Sequence, residues 1–65
     1  MSADPEQVET LIQAEHAAEE ARRSGDEEVV PAAVRAAYEA GNGVDELAEA
    51  TGLPVDAIME MLALA

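Results

Sequence analysis

The sequence predicts an all-α fold, a small bundle of four helices in a single domain spanning residues 1–65. Apolar residues recur at spacings of three and four, which is the period of a helix with one buried face. Glycine and proline interrupt these segments at positions where helices end and begin. The chain has 65 residues, 49% of them hydrophobic, with one Tyr and no Phe or Trp. Its core should therefore be thin, and isolated stability should be modest.

Helix 1 is predicted over residues 5–24. Asp4 can accept backbone N–H bonds as the N-cap, and Pro5 lacks only an N–H that the first turn does not use. Gln7 is placed to complete a capping box. Gly25 can adopt the left-handed conformation that ends a helix. The apolar stripe expected to be buried consists of Val8, Leu11, Ile12, Ala14, Ala18 and Ala21.

Helix 2 is predicted over residues 28–41. Pro31 is tolerated only in the first turn of a helix, so the helix should begin near Glu28. Gly41-Asn42-Gly43 should end it. Its buried face is predicted from spacings of i, i+4, i+7 and i+8, which select Val30, Val34, Ala37 and Tyr38.

Helices 3 and 4 are predicted over residues 44–51 and 54–64, joined by a tight turn at residues 51–53. Asp45 and Glu46 suit the first turn of helix 3, where the helix dipole favours acids. The apolar side chains that this helix pair should bury are Leu47, Ala48, Leu53, Ile58 and Leu62.

Net charge restricts the possible partners. Fifteen acidic residues and three arginines give a formal charge of −12. Residues 1–28 carry nine acids and two Arg (−7), and residues 29–65 carry six acids and one Arg (−5). Affinity for nucleic acids derives largely from Lys and Arg. The sequence therefore disfavours direct nucleic-acid binding and anionic membranes, and it favours a basic partner.

Enzymatic and metal-binding functions lack the side chains that they require. No cysteine is present, so disulfides and thiolate metal sites are excluded. His16, the only histidine, has no nucleophile paired with it, and the Glu15/Glu19 pair is typical of a solvated helix face. We expect no catalytic residues, no metal and no cofactor. The absence of a secretory signal or an apolar span predicts a cytoplasmic protein.

The C-terminal helix pair resembles a known family. The spacing of Ala48, Gly52 and Ile58 is similar to that in the helix-turn-helix (homeodomain-like) domain of bacterial regulators, with the match covering about Val30–Leu62. The resemblance implies that the second helix of the pair would lie in the DNA major groove. Its groove-facing positions would be Pro54, Val55, Asp56, Met59, Glu60 and Ala63.

None of these positions carries a side chain suited to reading bases or anchoring phosphate, and two are acidic. We therefore expect a small acidic protein-binding module, an adaptor or an inhibitor, on a scaffold that has lost its DNA-contacting residues. It could act as a mimic of DNA. The partner would be another protein with a basic or apolar groove. The predicted partner-binding residues are Val55, Asp56, Met59, Glu60 and Ala63.

Two alternatives remain open. The first is a sequence-specific DNA-binding transcriptional regulator, acting as a homodimer through helix 1 and anchoring phosphates with Arg22, Arg23 and Arg35. The second is a trihelical bundle, because the ending LPVDAIMEMLALA resembles ubiquitin-associated domains.

Overall fold

The structure, a computed structural model, describes residues 4–63 and confirms the all-α fold. Four helices occupy these residues, with no strand among them: α1 (Pro5–Ser24), α2 (Val29–Glu39), α3 (Val44–Thr51) and α4 (Val55–Met61). The helices pack into a body that measures 37 × 25 × 16 Å.

Both ends of α1 follow from local chemistry. The Asp4 carboxylate accepts a hydrogen bond from the backbone N–H of Glu6 at 2.8 Å. Gly25 ends the helix in the left-handed conformation, with φ +84°. The prediction that Gln7 completes a capping box is wrong. The side-chain amide of Gln7 donates instead to the carbonyl of Gly41 at 3.1 Å, because α1 and the end of α2 lie side by side there.

The core is built from small and branched side chains. Its buried members are Ala14, Ala18, Ala21, Val30, Val34, Ala37, Leu47 and Ile58. α1 contributes only alanine to this set, so the neighbouring helices can approach its backbone closely. Half-buried side chains from all four helices, such as Leu11 and Met61, complete the packing.

Three residues expected in the core are exposed. Val8 is 44% exposed and Ile12 is 45% exposed, because they lie about 110° and 150° around α1 from the buried alanines. Tyr38 is 39% exposed, since it lies about 70° from the centre of the buried face of α2. The predicted helical spacing is correct for both α1 and α2, but on each helix the buried face is narrower than the stripe of apolar residues in the sequence.

The connection after α2 is stabilised by a buried side chain. α2 ends at Glu39, two residues before the predicted end, and Gly41 follows with φ +112°. Asn42 is only 3% exposed. Its side-chain amide donates to the carbonyls of Gln7 and Ala37, both at 2.9 Å. These bonds tie the end of α2 to the start of α1.

α3 and α4 are joined as expected by a turn at residue 52, where Gly52 adopts φ +76°. The Glu46 carboxylate accepts the N–H of Gly43 at 2.9 Å and so caps α3. Pro54 is the N-cap of α4 rather than its first residue. α4 ends at Met61, earlier than the predicted end at residue 64, because Ala63 has φ +59°. Residue 64 itself lies outside the described residues.

Candidate functional site

The predicted partner-binding residues form the outer surface of α4 and of the residues that follow it. We call this surface the α4 face, made of Val55, Asp56, Met59, Glu60 and Ala63. Four of them are exposed and Met59 is half-buried. The four that lie within α4 fall inside an arc of about 140°. Helical periodicity therefore places these side chains on one surface, as expected.

Packing on the opposite side holds the α4 face outward. Ile58 is fully buried and anchors the helix in the core. The backbone N–H of Ile58 bonds to the carbonyl of Pro54 at 3.2 Å, which continues the helix from its N-cap. At the other end, the Arg35 guanidinium lies 3.5 Å from the carbonyl of Met61. The burial of Ile58 and the contact from Arg35 thus hold this short helix on the bundle.

The α4 face combines exposed apolar surface with negative charge. Val55 is 39% exposed, and Met59 follows it one helical turn later. Asp56 and Glu60, also one turn apart, border this apolar pair. No basic side chain belongs to the face. Its chemistry suits an apolar surface edged with cations rather than a phosphate backbone.

Each of the three arginines contacts the chain's own backbone or carboxylates. Arg22 donates to the carbonyl of Thr51 at 2.9 Å, at the end of α3. Arg35 lies over the end of α4. Cations at helix C-termini complement the helix dipole. Arg23 lies 3.6 Å from the carboxylate of Glu19 and 3.7 Å from that of Glu20. Arg22 and Arg35 therefore stabilise the bundle, and the charge of Arg23 faces carboxylates.

The remaining candidates for chemistry lie apart on the surface. His16 is exposed on α1, and so are Glu15 and Glu19. Within residues 4–63, no three His, Asp or Glu side chains are grouped so that they could hold a metal ion. In the same part of the chain, no helix combines the length and the apolar character that crossing a bilayer requires.

Sequence reasoning missed one feature, an apolar cleft where three helices meet. It is bounded by the end of α1, the start of α2, the α3–α4 turn and Met61 at the end of α4. Ala18 and Ala21 line it, and both were expected only to pack helices together. The small size of Ala18 and Ala21 is the one sequence signal that could have indicated the cleft, since larger side chains at these positions would fill it.

Comparisons of the chain with protein families, with curated proteins and with solved structures give no match.

Proposed function

We propose that this chain is a small protein-binding module that docks another protein through the α4 face. The observation that carries the proposal is the exposed apolar pair Val55 and Met59, bordered by the carboxylates of Asp56 and Glu60. Apolar contacts supply most of the affinity at such an interface, and charged rims select the partner. Methionine is flexible enough to adapt to the surface that it meets.

The partner is expected to present an apolar groove edged with Lys or Arg. A charge of −12 spread over a body 37 Å long attracts basic surfaces from a distance and speeds association. Binding would make the module an adaptor or an inhibitor. If the groove normally binds nucleic acid, the acidic module would occupy it as a mimic of DNA.

The scaffold of this module is proposed to be a helix-turn-helix that has lost its DNA-contacting residues. Two short helices joined at a left-handed Gly52 support this assignment. The alternative, a DNA-binding regulator, would need arginines to anchor phosphates. The guanidinium groups of Arg22 and Arg35 already contact the backbone carbonyls of Thr51 and Met61. Arg23 lies beside Glu19 and Glu20, and these contacts together leave fewer N–H donors for phosphate.

The first test compares three baits in nuclease-treated lysate of the native host. They are the wild type, the double variant Val55→Glu/Met59→Glu, and the matched control Val8→Glu/Ile12→Glu. The control adds the same charge at another exposed i, i+4 apolar pair, on α1. We expect one protein to be retained by the wild type and by the control and to be lost with the α4 variant.

Circular dichroism of each variant distinguishes a loss of binding from a loss of folding. If the double variant unfolds, the single variant Val55→Glu tests the same surface while Met59 stays in place. Equal retention by all three baits would contradict the α4 face as the docking surface. DNA binding is tested separately by fluorescence anisotropy at about 50 mM salt, where phosphate contacts are strong. Salt-sensitive DNA binding that depends on Arg22, Arg23 and Arg35 would favour the alternative.

A further inference from the structure

The cleft between α1, α2 and the α3–α4 turn is a second surface, separate from the α4 face. It has a volume of about 200 Å³. Met61, which borders it, lies about 160° around α4 from Met59. The apolar side chains that line it are Ala18, Ala21, Val30, Leu53 and Met61.

Two residues of opposite charge, Arg22 and Glu27, border the cleft, and within residues 4–63 neither makes an ion pair. Arg22 donates a hydrogen bond to the carbonyl of Thr51, so its charge is directed at the end of α3. Glu27 is exposed, and within residues 4–63 its carboxylate makes no ion pair. Asp26 and Glu28 flank Glu27 in the sequence and are also exposed, so this edge of the cleft carries more negative than positive charge.

The size of the cleft limits what can occupy it. Pockets for drug-sized ligands measure about 300–1,000 Å³, which is more than this cleft offers. One leucine or phenylalanine side chain is a better match. Electrostatics disfavour a second copy of this chain as the source of that side chain: each copy carries a charge of −12, so two copies repel each other.

We propose that this cleft binds a basic peptide segment of a partner protein, which inserts one aliphatic or aromatic side chain. A neighbouring Lys or Arg of the peptide pairs with Glu27. Burial of a single large side chain in a preformed pocket is how interfaces concentrate their affinity. The bond from Arg22 to Thr51 holds the α3–α4 turn against α1, so the cleft is already formed before binding.

The experiment is an NMR titration of the full chain, labelled in its backbone and methyl groups, with three seven-residue peptides. The first carries a central Leu flanked by Lys, the second replaces the Leu by Ala, and the third replaces the Lys by Glu. The first peptide should shift the methyl signals of Ala21, Leu53 and Met61. The alanine peptide should bind at least about tenfold more weakly, because the cleft then stays unfilled.

Glu27→Gln should weaken binding of the first peptide about two- to fivefold, as expected for an exposed ion pair. Glu28→Gln is the matched control, since it removes the same charge next to the cleft, and it should bind more tightly than Glu27→Gln. Val55→Glu/Met59→Glu should still bind, which separates this proposal from the proposed function.

Three results would overturn the proposal. The leucine and alanine peptides could bind equally, in which case charge alone drives association. The shifts could map to the α4 face instead of the cleft. Finally, the first peptide could produce no shifts at about 2 mM, which corresponds to a dissociation constant too weak for specific recognition.

Discussion

The two ends of α1 are attached to the rest of the protein by hydrogen bonds in different environments. Near the start of α1, the buried amide of Asn42 donates to two carbonyls at 2.9 Å. Near its end, the exposed Arg22 donates to the carbonyl of Thr51, also at 2.9 Å. The bonds from Asn42 to Gln7 and from Arg22 to Thr51 are both part-buried, but Asn42 is only 3% exposed, whereas the exposed Arg22 side chain can exchange its partner for water. The second end also contains the open cleft.

Substitution of Asn42 by Ala should have the largest effect on stability. It removes the two hydrogen bonds that this buried side chain donates to the carbonyls of Gln7 and Ala37. We expect a loss of about 2 kcal/mol, which lowers the Tm of a chain of this size by about 10 °C. Thermal unfolding followed by circular dichroism measures it. Gln13→Ala, at an exposed position of α1, is the control, and an equal loss in both variants would refute the special role of the Asn42 end.

Gly52→Val tests the turn at the other end of α1. Gly52 has φ +76°, a conformation that valine resists, so we expect a loss of more than about 1 kcal/mol. Gly43→Val is the matched control, because Gly43 is extended at φ −79° and ψ 162°. Denaturant unfolding of both variants measures the difference. An unchanged free energy of unfolding for Gly52→Val would count against the helix-turn-helix assignment.

Arg22→Gln and Arg23→Gln should have the smallest effects on the free energy of unfolding. Which of the two variants loses more stability shows what stabilises this end of α1. Arg22 contacts the end of α3, so its loss should cost at most about 1 kcal/mol. Arg23 pairs only with carboxylates that are themselves well exposed, and its loss should cost less than about 0.5 kcal/mol. Chemical unfolding at low and moderate salt compares them. A larger loss from Arg23→Gln would mean that long-range charge, rather than the helix-end contact, stabilises this end.

Local sequence signals predicted the helices well where a cap was specified. α1 and α3 have the predicted bounds, since Asp4, Gly25 and Gly52 act within one helical turn of the residues that they cap. The ends of α2 and α4 were placed too late. α2 ends where the Asn42 backbone turns back to Ala37, and α4 ends before the left-handed Ala63.

The α4 face was predictable in its placement. Helical spacing is enough to separate Val55 and Asp56 from the buried Ile58. Its role as a docking surface stays a prediction that the bait comparison tests. The cleft was not predictable, because its walls come from three helices that are separated in the sequence.

The sequence by itself determined the all-α class, the helix starts to within one residue and the strongly acidic surface, because these depend on composition and on bonds between near neighbours. Only the tertiary structure decided which apolar residues are buried, leaving Val8, Ile12 and Tyr38 on the surface. It also paired Arg22 with Thr51, 29 positions away, and Asn42 with Gln7, 35 positions away. The physical reason is that burial and long-range hydrogen bonds depend on where neighbouring helices lie, which periodicity within one helix does not specify.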